Sequence, residues 1–230
     1  MASMCGRFTL RTAAPVLVQQ FGLSAQLDFL DDLKPRFNIA PSQQVLAVRE
    51  SMPGQRSPAW LRWGLVPSWA DDPKIGYKLI NARADTVHSK PSFRSAFKQR
   101  RCLVLADGYF EWQPLDSKTK QPYYFQRADG DPFAFAGLWE HWHKAGAPAA
   151  IESCTLITTD ANTLAATVHN RMPVILGERD YAAWLSPETP ADRLRQLLVP
   201  LGDNVLTATA VSTYVNKPAN QGAECIEAVK

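Results

Sequence analysis

Short runs of alternating apolar and polar residues dominate the chain and predict a structure rich in β-strands. With frequent β-branched and aromatic residues, they predict strands at residues 44–49, 60–65, 101–106, 123–127, 133–138, 154–159 and 206–211. Helical periodicity predicts helices at residues 13–21, 92–99, 162–168, 178–185 and 190–198. Ser92 and Asp160 are expected to cap two of these helices. The polar stretches 71–76 and 116–121 are predicted to be surface loops.

The order of these elements argues against a parallel, doubly wound sheet. Strands and helices do not follow the regular strand, crossover helix, strand rhythm, and no repeat of roughly 20 to 50 residues is visible. The 230 residues suffice for one sizeable core, and the 17 prolines and 12 glycines are spread along the chain. We therefore predict a single α+β domain, with a curled, largely antiparallel β-sheet or barrel-like core flanked by short helices.

Composition narrows the class of partner only slightly. A formal net charge of +3 and a pI near 8.7 suit a polyanionic partner but are weak beside those of a histone-like protein. The cysteines form no C-x-x-C pair, so free thiols are expected rather than a zinc ribbon or a disulfide framework. No signal-peptide pattern and no long apolar run occurs, so we expect a cytoplasmic protein without a membrane partner.

Four segments combine reactive side chains with a rigid apolar surrounding, and each taken alone has an ordinary structural explanation. Cys5 reads most simply as a small buried hydrophobe. Glu111 reads as a solvated carboxylate at a strand end, and His169 as a hydrogen-bonded helix terminus. For Asn81, a turn or cap amide is as plausible as a site role.

His141 and His143 are the remaining candidates for metal binding. Two residues apart on a strand, they would share one face, but the sequence offers no third ligand beside them. Surface or loop histidines are therefore the expected reading. We predict neither a metal nor a cofactor.

The combination of motifs is what points to function, because the chain resembles the SRAP-domain family almost end to end. The resemblance rests on seven segments that occur in the family's order: MCGRF at 4–8, RFNIAP at 36–41, WGLVPSW at 63–69, NARADT at 81–86, RCLVLADGYFEW at 101–112, AGLWE at 136–140 and HNRMPVIL at 169–176. It implies a protein that shields abasic sites in single-stranded DNA, in the context of DNA damage and the SOS response. A monomer that associates with the nucleoid when bound to DNA is expected.

The resemblance also implies roles for individual residues. Cys5 matches the covalent nucleophile, and Asn81 matches the residue that orients the bound sugar. Glu111 matches a group that moves protons at the cysteine amine, and His169 one that assists at the sugar and its oxygen. The predicted DNA-binding residues are Arg7, Asn38, Pro41, Trp69, Arg83, Trp112 and Arg171.

The chemistry of these residue types suits an aldehyde substrate. An amino-terminal cysteine offers an amine that forms a Schiff base and a thiol that closes on the same carbon to give a thiazolidine. With reference pKa values of about 7.7 to 8.0 for the amine and about 8.5 for the thiol, most of each group is protonated near pH 7. A nearby base such as Glu111 is therefore useful, while His169 can donate a proton to the ring oxygen.

The start of the chain departs from the family pattern, in which the reactive cysteine directly follows the initiator methionine. Here Met1, Ala2 and Ser3 precede Met4, so Cys5 as written has no free α-amine. We treat residues 1–4 as an extension upstream of an SRAP-like domain at 5–230. An expression tag, translation that begins at Met4, and a leader removed by proteolysis or self-cleavage all explain it.

Two other functions stay open at this stage. One is a thiol peptidase acting on proteins, with Cys5, His169 and either Glu111 or Asn81 as its machinery. The other is a purely noncovalent single-stranded DNA binder. The family further suggests strand cleavage at the abasic site and peptidase-type self-processing.

Overall fold

Strands make up most of the regular structure. The computed structural model describes residues 5–23, 27–147 and 149–229, so the predicted extension at 1–4 lies outside the described part. Within these ranges the strands are β1 Arg7–Leu10, β2 Arg36–Ile39, β3 Gln44–Met52, β4 Gln55–Trp63, β5 Asn81–Arg83, β6 Arg101–Ala106, β7 Gly108–Pro114, β8 Lys120–Arg127, β9 Phe133–Trp142, β10 Ile151–Asp160, β11 Arg171–Pro173, β12 Ile175–Leu176 and β13 Leu206–Ala210. The α-helices are α1 Ala14–Phe21, α2 Arg94–Gln99, α3 Thr163–Ala166, α4 Tyr181–Leu185 and α5 Ala191–Gln196.

The larger sheet curls until it closes on itself. Its strands follow the order β11-β10-β4-β3-β6-β9-β12, with β5 paired to β10, and a further pairing of β10 with β9 completes a ring. Closure satisfies the backbone groups that an open sheet leaves at its edges. Strand β10 runs parallel to β4 and β5, whereas the other pairings of this sheet are antiparallel. The predicted curled, largely antiparallel α+β architecture is therefore confirmed.

The smaller sheet has the order β13-β8-β7-β1-β2 and packs against this ring. Phe8 of β1 is fully buried, with its ring centroid 5.1 Å from that of Trp63 and 5.6 Å from that of Phe135. Aromatic contacts of this kind join the two sheets into one core. Because β1 starts just after Cys5, this packing also fixes the position of the predicted nucleophile.

The capping predictions were wrong. The N-cap of α3 is Asn162, whose side-chain oxygen accepts a hydrogen bond from the Ala165 N–H at 2.8 Å. Asp160 instead pairs with Arg171, and the residue that precedes α2 is Phe93, with no side-chain cap at all. Asp160 does not cap α3 because its carboxylate pairs with Arg171 instead. Ser92 does not cap α2 because that helix begins two residues later, after Phe93.

The predicted loop at 71–76 is partly helical. A 3₁₀ helix spans Pro73–Lys78, and Asp72 caps it by accepting a hydrogen bond from the Lys74 N–H at 2.8 Å. Proline early in the turn favours this start because its φ angle suits a helix. The loop at 116–121 is a turn that passes into β8 at Lys120.

Two glycines anchor the segment that leads to β5. A Cβ atom on Gly76 would lie 2.6 Å from the carbonyl oxygen of Gly64, and Gly64 itself has φ +124°. Backbones approach this closely only where neither residue has a side chain. The contact ties the end of β4 to the 3₁₀ helix and thus positions Asn81 nearby.

None of the helices within the described ranges is long and apolar enough to cross a membrane.

Candidate functional site

Cys5 is buried, and its backbone nitrogen contacts a carboxylate. The Cys5 nitrogen donates a hydrogen bond to Glu111 Oε1 at 2.5 Å, and the side chain of Cys5 is fully buried. The residue also has φ +34°, in a region that non-glycine residues rarely adopt. Such backbone strain persists only where the surroundings enforce it, and it concentrates at functional sites.

Glu111 reaches Cys5 because β7 runs antiparallel to β1. The register pairs Arg7 with Phe110, which places the next residue of β7 beside the start of β1. Glu111 is only 2% exposed, and burial raises the pKa of its carboxyl to about 8, against the opposing effects of the Cys5 N–H and Lys120. A carboxyl group in this state takes up and releases protons near neutral pH.

The thiol of Cys5 is affected in the same direction. Burial, and to a smaller extent the charge of Glu111, raises the pKa of Cys5 well above its usual range. The thiol is therefore protonated in the resting site, unlike the thiolate of a typical thiol peptidase.

Asn81 contacts the carbonyl group of Cys5. Strand β5 runs parallel to β10, with Asn81 paired to Leu156, and this holds the amide at the edge of the ring. Its Nδ2 group donates a hydrogen bond to the Cys5 carbonyl at 3.4 Å. The structure thus brings two predicted site residues, Asn81 and Glu111, into contact with the backbone of Cys5; the roles predicted for them remain predictions.

His169 occupies the turn between α3 and β11. Its Nδ1 atom accepts a hydrogen bond from the Arg171 N–H at 3.1 Å, which leaves the proton of a neutral ring on Nε2. Burial lowers the pKa of His169, and the charges of Lys120 and Arg171 lower it further, whereas the Arg171 carbonyl, 3.4 Å from Nδ1, acts in the opposite direction. The ring is therefore a neutral Nε2–H donor at pH 7. Lys120 acts electrostatically on both His169 and Glu111.

Two of the predicted DNA-binding residues hold the end of the chain in place. Arg7 donates to Asn38 Oδ1 at 3.0 Å and to the Val215 carbonyl at 2.9 Å. Asn38 is fully buried, and its Nδ2 group donates to the carbonyls of Val215, Lys217 and Asn220. Arg7 and Asn38 therefore have a structural role in the fold. That they also contact DNA remains a prediction.

The other predicted DNA-binding residues differ in exposure. Trp69 is 58% exposed, and the guanidinium of Arg83 lies at the surface in an ion pair with Asp85 at 2.8 Å. Arg171 is only 6% exposed and pairs with Asp160 at 2.5 Å while donating to the Thr158 carbonyl at 2.6 Å. Arg171 therefore pins β11 to β10, and a phosphate contact by this residue stays a prediction.

A groove beside Cys5 brings three predicted residues together. It has a volume of about 530 Å³ and is lined by Gly6, Arg7, Pro41, Trp112, Lys118, Lys120 and Asn216. The sequence reasoning missed Lys118 and Lys120 because it treated their segment only as a polar loop. The alternation of Lys118, Thr119 and Lys120 before a strand was the available signal, since it places both ammonium groups on one side of the chain.

A second cleft, of about 840 Å³, lies among residues 175–202 together with Arg127 and contains none of the predicted site residues. For metal ions, the described ranges bring no three histidine, cysteine or acidic side chains together. His141 lies 4.0 Å from Glu152, in an exposed arrangement.

Comparison with known proteins identifies the family to which the chain belongs. The model of the family described as SOS response associated peptidase (SRAP) matches residues 4–218. The chain is 44% identical over 227 residues to the abasic site processing protein YoaM of Bacillus subtilis, covering 98% of each chain. It is 34% identical over 229 residues to the abasic site processing protein HMCES of Xenopus tropicalis, covering 86% of this chain and 68% of that one.

Solved structures show the same fold. A crystal structure of a protein from Bacteroides thetaiotaomicron matches with a TM-score of 0.87 at 24% identity, over 98% of this chain and 100% of that one. A protein from Bordetella bronchiseptica matches with a TM-score of 0.76 at 27% identity, over 90% and 100%. The family model matches nearly the whole chain, and YoaM matches it over almost its full length. The chain therefore belongs to the SRAP family.

Proposed function

We propose that this protein captures abasic sites in single-stranded DNA covalently, through Cys5 acting as the amino-terminal residue. The observation that carries the proposal is the 2.5 Å contact between the Cys5 nitrogen and the buried Glu111 carboxyl group. In its ionised form, which its pKa of about 8 makes accessible near neutral pH, this carboxyl group is suited to accept the proton that the amine must lose before it attacks an aldehyde. The names of the relatives, which are abasic site processing proteins, support the same substrate.

The reaction follows from the two groups that one terminal cysteine provides. The amine attacks C1′ of the ring-opened deoxyribose, its proton passes to Glu111, and loss of water gives a Schiff base. The thiol then adds to the same carbon, forming the C–S bond while its proton moves to the imine nitrogen. The product is a thiazolidine, and water is the only species released. Closure is intramolecular, which offsets the low reactivity of a protonated thiol.

His169 and Asn81 fit the supporting roles. A neutral imidazole with its proton on Nε2 is suited to donate to the ring oxygen as the sugar opens. Asn81, held by β5 against the Cys5 carbonyl, is suited to orient the sugar. The same Schiff base permits strand cleavage by loss of a C2′ proton and elimination of the 3′ phosphate, so we include a lyase activity in the proposal.

The proposal requires that residues 1–4 be absent from the active form, because an acylated nitrogen forms no Schiff base. The Glu111 carboxyl lies against the same nitrogen that cleavage of the Met4–Cys5 peptide bond would release. Self-processing at this bond is therefore part of the proposal. We further propose that the protein acts in the cytoplasm as a monomer on nucleoid DNA.

A denaturing gel tests the central claim. The chain that begins at Cys5 is incubated with an oligonucleotide carrying one abasic site, and a band resistant to heat and detergent is expected. The Cys5→Ser variant and the chain that retains residues 1–4 are expected to give no such band unless the latter is processed, which intact-mass measurement reveals. Absence of a stable band with the free Cys5 chain would refute covalent capture, whereas turnover of peptide substrates in its place would favour a thiol peptidase.

Glu111→Gln tests the role of the carboxyl group separately. Crosslinking is expected to slow by 10²-fold or more, on the order of a lost general base. Affinity for an oligonucleotide with an unreactive tetrahydrofuran abasic analogue is expected to stay within about twofold. A large loss of that affinity would show that Glu111 contributes to binding rather than to proton transfer.

A further inference from the structure

Lys118 and Lys120 lie on the hairpin that joins β7 to β8, directly after the strand that carries Glu111. Asp116 holds the turn by accepting hydrogen bonds from the N–H groups of Lys118 and Thr119, both at 2.7 Å, and from the Thr119 hydroxyl at 2.6 Å. The register then pairs Lys120 with Pro114. The Asp116 carboxylate is therefore engaged by hydrogen bonds within the turn. The backbone of both lysines is held in place by this turn and by the pairing with β7.

The two ammonium groups are the uncommitted cations of the groove described above. Neither lysine has an ion-pair partner in the ranges 5–23, 27–147 and 149–229, although both side chains line the groove and are exposed. Arg7, on the same groove, is already bonded to Asn38 and Val215. An anion that enters the groove therefore meets the lysines as its free counter-charges.

The remainder of the groove is suited to a base. Pro41 and Trp112 supply apolar surface, and the indole N–H of Trp112 donates to Asn216 Oδ1 at 2.7 Å, which fixes the ring in one orientation. A cationic edge beside an aromatic surface is the usual arrangement for holding single-stranded nucleic acid without reading its sequence. The volume of about 530 Å³ is sufficient for one nucleotide.

We propose that Lys118 and Lys120 form a phosphate clamp for the nucleotide next to the abasic sugar, whose base lies against Trp112 and Pro41. The inference rests on the proposed function, because Gly6, which lines the groove, is the neighbour of Cys5 in the chain. Each lysine neutralises one backbone phosphate, so binding is indifferent to base identity. The clamp also brings the strand to Cys5 from the side of the β7–β8 hairpin.

The test is the salt dependence of binding to a single strand that carries the tetrahydrofuran analogue, which cannot crosslink. For Lys118→Ala/Lys120→Ala, the slope of log K against log salt is expected to decrease by about 1.4, since each single-strand phosphate contact contributes roughly 0.7. Affinity is expected to fall on the order of tenfold per lysine at about 50 mM salt. The Lys118→Arg/Lys120→Arg variant keeps both charges and is expected to retain the slope.

Lys98→Ala is the matched control, because Lys98 is an exposed lysine on α2 that does not line the groove. An unchanged slope in the double alanine variant, or an equal decrease in the Lys98→Ala variant, would overturn the clamp. Thermal melting confirms that each variant is folded. Since the analogue cannot react, a wild-type chain that binds it but forms no crosslink with a true abasic site would refute covalent capture while leaving the clamp intact.

Discussion

Replacing Glu111 by Gln is expected to stabilise the protein, and to do so more strongly as the pH rises. Glu111 is 2% exposed, and burial raises the pKa of its carboxyl to about 8. In the unfolded chain a glutamate has a pKa near 4.3. Between these values the unfolded state has released a proton that the folded state retains, so the stability of the wild type falls as the pH rises through this window.

The magnitude follows from the width of that window. At about 1.4 kcal/mol for each pH unit, the wild type loses on the order of 4 kcal/mol by pH 8, and about 1 kcal/mol by pH 5. Gln has nearly the shape of the neutral acid and keeps an oxygen to accept the hydrogen bond from the Cys5 nitrogen. The free energy of unfolding of Glu111→Gln, measured relative to that of the wild type, is therefore expected to rise by about 3 kcal/mol between pH 5 and pH 8.

Thermal unfolding of the 230-residue chain at pH 5, 6, 7 and 8 measures this difference. For a domain of this size, about 3 kcal/mol corresponds to roughly 10 °C in Tm. The matched control is Glu140→Gln, which removes an ion pair between a buried carboxylate and Arg100 at 2.7 Å and is expected to lower Tm. A Tm difference for Glu111→Gln that does not grow with pH would refute the assignment of a neutral carboxyl group at this site.

Three further predictions concern other parts of the site. Arg171→Ala removes a buried guanidinium that pairs with the exposed carboxylate of Asp160 and donates to the Thr158 carbonyl, and is expected to lower the free energy of unfolding in urea by about 2 kcal/mol; a loss below about 0.5 kcal/mol would contradict the pinning role. Arg83→Ala is expected to weaken single-strand binding for all sequences alike and to lower its salt slope by about 0.7, and sequence-dependent losses would argue against a phosphate contact. Gly76→Ala places a Cβ atom 2.6 Å from the Gly64 carbonyl and is expected to cost about 2 kcal/mol, whereas Gly202→Ala, with its nearest neighbour at 3.8 Å, is expected to melt close to the wild type.

Sequence patterns predicted the long, buried strands of the closed sheet better than the short strands around it. Strand β6 was predicted with its observed bounds, because its six residues are all buried and its apolar run is continuous. Strands β1, β2 and β5 are only three or four residues long, and their pairing is decided by distant partners. Short strands of this kind carry too few positions for periodicity to reveal them.

The convergence of the site residues could be expected from the family motifs but not from the residues alone. Cys5 and Glu111 are 106 positions apart, and the antiparallel register of β1 and β7 is what brings them together. The burial of Glu111 was the opposite of the ordinary reading of a glutamate at a strand end. Likewise, the guanidinium of Arg171 has partners within the fold that no linear pattern discloses.

The positive φ angle of Cys5 bears on the direction of the self-processing proposed above. A φ angle is defined only while an acyl carbon is attached to the nitrogen, so hydrolysis of the preceding amide abolishes the torsion together with its cost of roughly 1 to 2 kcal/mol. The liberated amine would keep Glu111 as its hydrogen-bond partner. If the proposed processing occurs, this release of strain favours the shortened chain and opposes religation of the bond.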